Sequence, residues 1–250
     1  ESSVVGRPLA CSKEGVGAMT GLLIELRNIC KRYGWGGAAF NALTDVNLTG
    51  DKGEFGAIMG PSGSGKSTMM NIIGALDSPT GGEYLFKGLH VEKLSRDERA
   101  LLRRPFLGFV FQRFNLLART TALENVELPL LYRGVSTEER HKLARAALDR
   151  VGLLPWERHT PAELSGGQQQ RVAIARAIVT HPLLLLADQP TGRLDSHRSV
   201  EILELLTDLN KSEHITVVLV THEPDMAAYA RRCVRCVDGR LASDTEPPGR

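Results

Sequence analysis

The chain has 250 residues, 42% hydrophobic and 24% charged, which suits one globular α/β domain or a core carrying a smaller insertion. Its 31 basic and 29 acidic residues leave a net charge of +2, which gives no basis for a nucleic-acid partner. No apolar run approaches the roughly 20 residues that span a bilayer, so any work at a membrane passes through a partner.

Residues 1–21 are polar and irregular, lack the apolar core of a secretory signal, and read as a disordered stretch or an extension. Leu9-Ala10-Cys11 has the form of a lipoprotein cleavage site without the apolar stretch before it, and Met19 is a candidate start. Segments 22–30 and 43–48 read as strands of a small antiparallel layer. The apolar run 55–59 leads into Gly60, and a helical pattern follows over 66–76. A second run, 109–111, leads into Gln112. Segment 114–163 breaks the strand–helix alternation and reads as an inserted helical subdomain. Within it, 137–151 is amphipathic and Pro129, Pro155 and Pro161 are punctuation. A helix over 168–180 precedes the run 183–187, which ends at Asp188. A helix over 197–211 precedes the run 217–220, which ends at Thr221-His222, and 224–231 reads as a last helix. The domain closes near 244, and 245–250 reads as a disordered polar tail. Four cysteines (Cys11, Cys30, Cys233, Cys236) are too few for a disulfide framework in this length. Cys233-Val-Arg-Cys236 has zinc or redox spacing without a second Cys/His pair, and reads as two reduced thiols near a C-terminal strand.

Continuous apolar runs, rather than alternating ones, indicate strands buried on both faces of a parallel sheet. In such sheets ligands sit beyond the carboxyl ends of the strands. Four runs here deliver a glycine loop, a glutamine, an aspartate and a histidine to that edge.

Gly60-Pro61-Ser62-Gly63-Ser64-Gly65-Lys66-Ser67-Thr68 fits the phosphate-cradling P-loop pattern, between a predicted strand and a predicted helix. The fold class is therefore α/β: a P-loop NTPase with a RecA-like parallel core, an antiparallel β layer and the inserted helical subdomain. Glycines let backbone N–H groups converge on phosphate oxygens at a helix N-terminus. Lys66 is expected to reach the β- and γ-phosphates of ATP, and Ser67 to offer its hydroxyl to Mg²⁺. Asp188, charged at the end of an apolar strand, needs a partner, and nucleotide-bound Mg²⁺ supplies one. Leu164-Ser165-Gly166-Gly167-Gln168-Gln169-Gln170-Arg171 starts a further helix, a second phosphate-binding end for which one nucleotide has no need, and so invites dimerisation.

The order of P-loop, Gln112, LSGGQQQR, Asp188, Gly192-Arg193-Leu194-Asp195 and His222 resembles the nucleotide-binding subunit of an ABC transporter, over about 22–241. The resemblance implies that Tyr33 stacks on adenine, that Gln112 touches Mg²⁺ and senses the γ-phosphate, and that His222 contacts the γ-phosphate. It implies that 192–195 communicates across a dimer. It also implies that Ser165, Gly166, Gly167 and Gln168 serve ATP held by a second copy of the chain, in a head-to-tail sandwich. Stretches 58–71, 108–117 and 121–129 resemble the lipoprotein-releasing and macrolide-export ATPases. Those pair with a membrane permease at the cytoplasmic face of the inner membrane; Phe114, Leu116 and Leu117 are candidates either to touch it or to fill the core of the helical subdomain. A clamp acting on DNA or ribosomes is disfavoured by the single P-loop and near-neutral charge.

The family pattern places glutamate, the general base, where this chain has Gln189. An amide cannot accept the proton, and losing a general base costs about 10²–10⁴ in rate. ATP binding should survive and the dimer should trap unhydrolysed ATP. A deliberate, nearly isosteric trapping substitution is the reading favoured over a naturally degenerate, non-catalytic ATP-gated module. Two smaller departures stand beside it. Arg193 replaces a common asparagine, and Gly56 should weaken the strand that feeds the P-loop.

Overall fold

The computed structural model describes residues 21–245; the readings for 1–20, including Leu9 to Cys11 and Met19, and for 246–250 fall outside the described residues. The chain opens with β1 (Leu22–Tyr33) and β2 (Phe40–Asp51), paired antiparallel with Tyr33 opposite Phe40. β3 (Phe55–Met59) enters a second sheet and feeds α1 (Lys66–Ile73), after which β4 (Gly81–Phe86) and β5 (Leu89–His90) return to the first. Then come α2 (Arg96–Phe106), β6 (Leu107–Phe111), α3 (Ala122–Tyr132), α4 (Thr137–Arg150) and α5 (Gly166–Ile178). β7 (Leu184–Asp188), α6 (Ser196–Glu213), β8 (Thr216–Thr221), α7 (Pro224–Ala227), β9 (Arg232–Val237) and β10 (Arg240–Thr245) complete the described chain.

The first sheet is antiparallel, in the order β2-β1-β4-β5. The second runs β10-β9-β3-β8-β7-β6, with its four pairs from β9 to β6 parallel and only β10 reversed. β7 explains the continuous apolar runs. Leu184 and Leu186 pack into the core shared with α1 and the antiparallel sheet. Leu185 and Ala187 point the other way, into the core shared with α5 and α6. All four are wholly buried, and each fully buried leucine contributes about 1.5–3 kcal/mol.

Several elements differ from their sequence expectation. α2, β4 and β5 carry weak patterns: α2 buries only Leu102, yet Ser95 and Glu98 form a reciprocal capping box that starts it. Pro129 lies inside α3 rather than ending it, because α3 is packed against both α4 and α5 and tertiary contact outweighs the lost hydrogen bond. α7 stops at Ala227, well before 231. The Arg231 N–H donates to Phe55 O at 2.8 Å, which pulls the chain into pairing with β3 and begins β9. The domain's last strand takes in Thr245. Cys233 and Cys236 sit on β9, buried and free, and burial pushes both thiols up from the ordinary value.

Candidate functional site: one edge of the parallel sheet

Strand register brings the polar residues together. Met59 lies opposite Thr221, Val220 opposite Asp188, and Asp188 opposite Phe111. Gly60, His222, Gln189 and Gln112 therefore each follow directly on one of four adjacent strands, at one edge. The loop from Gly60 to Gly65 makes a path that side chains would block. Gly65, at φ 98°, is the N-cap of α1, and a Cβ there would lie 2.6 Å from Ala42 O. Gly60, at φ 151°, is packed against Cys236 and Ser64. The loop is fastened from behind: the Cys236 thiol and the Gly239 N–H both donate to Ser64 O, at 2.8 and 3.1 Å. Pro61, Ser62, Gly63 and Ser67 face solvent, and Thr68 is half-buried.

Lys66 is buried and curls over its own loop, donating to Gly60 O at 2.8 Å and Pro61 O at 2.6 Å. Its charge is the one that opposes burial at Asp188. Burial pushes the Asp188 carboxyl above the usual carboxylate range, and Lys66 only partly offsets this. Asp188 Oδ1 is buried with no hydrogen-bond partner. A buried carboxylate oxygen left unpaired is costly unless a ligand completes it. Gln189 stands in a left-handed conformation at φ 45°, its N–H donating to Val220 O at 2.8 Å and its carbonyl accepting from Gly192 N–H at 3.1 Å. Gln112 is half-buried beside Gly192, with Nε2 3.5 Å from the Gly192 carbonyl. His222 is exposed and lines a cleft with Gly60 and Pro61.

A second cleft, of about 450 Å³, runs beside the P-loop between Tyr33, Phe40, Lys66 to Thr68 and Gly239. The Tyr33 phenol donates to Asp77 Oδ2 at 2.8 Å, and burial, then Asp77, push its pKa up. Phe40, which the sequence reading passed over, lines the same cleft. Its only signal in the sequence is an aromatic residue soon after the Gly34–Gly37 loop.

The start of α5 is built apart from these clefts. Ser165 is its N-cap: the Gln168 N–H donates to Ser165 Oγ at 3.3 Å, and the Ser165 N–H donates to Gln168 Oε1 at 2.9 Å. That box holds two of the groups at the helix end and leaves the N–H groups of Gly166 and Gly167 in the first turn without intrahelical partners. Gly166 abuts Leu194, and buried Gly167 abuts the Arg198 stem, where a Cβ would come within 3.2 Å. None of Ser165 to Gln168 lines the cleft beside the P-loop. Arg193 is exposed on the connecting loop, and Asp195 caps α6 by accepting from the Arg198 N–H at 2.9 Å.

A phosphate-cradling loop between β3 and α1, with a carboxylate at the end of a parallel strand of the same sheet, defines the P-loop class of nucleotide-binding folds. Within that class the chain belongs to the ABC transporter family, whose profile matches residues 43–192. It is 53% identical over 223 residues to the macrolide export ATP-binding/permease protein MacB of Marinobacter nauticus, covering 89% of this chain and 34% of that protein. To the pyoverdine export ATP-binding/permease protein PvdT of Pseudomonas fluorescens it is 50% identical over 224 residues, with the same coverage of 89% and 34%. The chain thus spans about a third of the length of these curated relatives. Among solved structures, the dimeric bacterial ABC transporter cassette MJ0796 superposes with a TM-score of 0.83 at 48% identity, covering 91% of this chain and all of that one. A dimeric post-hydrolysis form of that cassette, bound to ADP and Pi, superposes with a TM-score of 0.83 at 47% identity.

Proposed function

We propose that this chain binds Mg-ATP at the β3–α1 loop, closes head to tail with a second copy, and drives a membrane permease of the macrolide-export or lipoprotein-release type. The observation that carries the proposal is Asp188: a desolvated carboxylate with an orphaned oxygen, on the strand two places from the one that feeds the Lys66 loop. That oxygen, the exposed Ser67 hydroxyl and the Gln112 amide fit a magnesium ion, which is hard and takes oxygen ligands. Bound there, the ion would neutralise charge on the phosphate oxygens. Lys66 has its ammonium already inside the loop and needs only to exchange carbonyl partners for phosphate oxygens. The N–H groups from Gly63 to Thr68 would hold the triphosphate, with Gly60 to Ser62 forming the near side of the loop. His222 would reach the terminal phosphate from the adjacent strand end. Ser165 to Gln168 do not line the chain's own P-loop cleft, which supports their use on ATP held by the other copy. Gln189, an amide, orients water without taking its proton, so the closed dimer persists with ATP intact.

For the permease, Leu116 is packed against the core while Leu117 stands 48% exposed, so Leu117 is the better contact of the pair. The Phe114 and Asn115 carbonyls, both in left-handed backbone, accept from Arg176 at 2.8 and 2.6 Å, which fixes the loop that would present it. No helix of the described residues is long and apolar enough to cross a membrane. In this reading the permease holds the chain at the cytoplasmic face of the inner membrane. The test is light scattering with Mg-ATP. A dimer that forms with ATP, and not without it, supports the proposal; a protein that stays monomeric at saturating Mg-ATP refutes it.

A further inference from the structure

Phe40 is an aromatic side chain with 60% of its surface exposed, at the rim of the cleft beside the P-loop. A single exposed aromatic is ordinary by itself; what singles this one out is its place at the rim of the cleft. Its position is set by the sheet. Phe40 on β2 lies directly opposite Tyr33 on β1, so both rings project from one face, with centroids 5.7 Å apart and planes tilted by 37°. Tyr33 in turn is held from the interior. Asp77 accepts from the Tyr33 phenol at 2.8 Å and from Lys31 Nζ at 2.7 Å, while the Lys31 ammonium sits 4.9 Å from the Tyr33 ring centroid. Burial pushes the Asp77 carboxyl up, but Lys31, Tyr33 and the Ser78 N–H outweigh it and hold it below the usual carboxylate range. The buried lysine covers the ring's inner side, and the phenol's hydrogen bond is already spent on Asp77.

We infer that Phe40 is a second base-contacting residue, forming with Tyr33 a two-ring platform for the nucleobase, and that Asp77 is a positioning residue that locks Tyr33 into it. The inference rests on the ATP-binding reading above and deepens it. Rings present a face rather than donors and acceptors, so the Phe40 contribution is indifferent to which purine lies on it.

The test is calorimetric titration of the Gln189 protein and its variants with Mg-ATP, Mg-GTP and inorganic tripolyphosphate. Phe40→Ala should weaken ATP by about 5- to 100-fold and GTP by the same factor, the range for losing one base–aromatic stack. Tripolyphosphate, which has no base, should bind Phe40→Ala within about twofold of the parent. Phe40→Tyr should restore ATP affinity and Phe40→Leu should not. Asp77→Asn should weaken ATP and GTP while sparing tripolyphosphate, which a general loss of structure would not do. Equal loss of ATP and tripolyphosphate in Phe40→Ala, or unchanged ATP affinity, overturns the inference while leaving the phosphate site standing. A parent protein that binds neither ATP nor tripolyphosphate overturns both readings.

Discussion

If the proposed function holds, replacing Gln189 by glutamate should convert a protein that binds ATP without hydrolysing it into a turning-over ATPase. The backbone at 189 is pinned by bonds to Val220 and Gly192 at 2.8 and 3.1 Å, in a left-handed conformation both residue types tolerate to the same degree. Glutamine and glutamate have equal reach, so the new carboxylate stands where the amide stood. What changes is proton affinity. A positioned general base contributes about 10²–10⁴ in rate, or roughly 3–5 kcal/mol of barrier. That exceeds by far the roughly 0.5 kcal/mol expected of a surface substitution that merely repacks. Single-turnover phosphate release from Gln189→Glu should therefore rise at least 100-fold, about the lower bound for a general base. ATP affinity should change by less than about threefold, since the loop, Lys66 and Asp188 are untouched. The dimer seen by light scattering should become short-lived in ATP. Phosphate release that stays at the parent rate, with ATP still bound, would refute the assignment of position 189 to the base.

Asp188 carries a pH signature. Its folded-state pKa is raised, so the nucleotide-free protein should lose stability as pH climbs from the ordinary carboxylate value to the raised one, where only the unfolded chain has ionised. In Asp188→Asn that loss should vanish, leaving the variant more heat-stable than the parent above the window while Mg²⁺ no longer tightens ATP binding; melting curves against pH, with and without Mg-ATP, check both. Tyr84→Phe removes a wholly buried phenol that donates to Ile73 O at 2.6 Å at the end of α1. The orphaned carbonyl should cost about 1–3 kcal/mol in chemical denaturation. Gly56→Ala should stabilise by about 0.5–1 kcal/mol, a rise in Tm of about 2–4 °C or less. The new methyl would meet only Glu54 Oε1, at 3.7 Å; a lower Tm would contradict this.

What could be read in the sequence followed from signals that are local. β3, β6, β7 and β8 announced themselves because a strand buried on both sides has no polar register to hide in. The P-loop was legible because strand, glycines and helix are contiguous. α2 was missed because its single buried leucine gives no periodic stripe, although Ser95-Arg-Asp-Glu98 carried a capping signal. The length of α7 was missed because its end is decided by β3, far away in sequence. Phe40 and Asp77 escaped for the same reason. One depends on the register of β1 against β2, the other on a carboxylate 44 residues from the tyrosine it holds. The left-handed turn at Gln189 likewise comes from Val220 on a different strand.

The fastening of the P-loop by Cys236 and Gly239 has a consequence for biosynthesis. Ser64 takes its two backing hydrogen bonds from a hairpin about 170 positions later, at a separation of 172 residues for the thiol, and that hairpin's turn is also tied to Thr44. A nascent polypeptide whose 236–239 stretch is still inside the ribosome has the glycine loop outside the exit tunnel without its floor. Grip on triphosphate should therefore arrive late and abruptly, once the β9–β10 turn emerges and docks, rather than growing in as the loop itself is made.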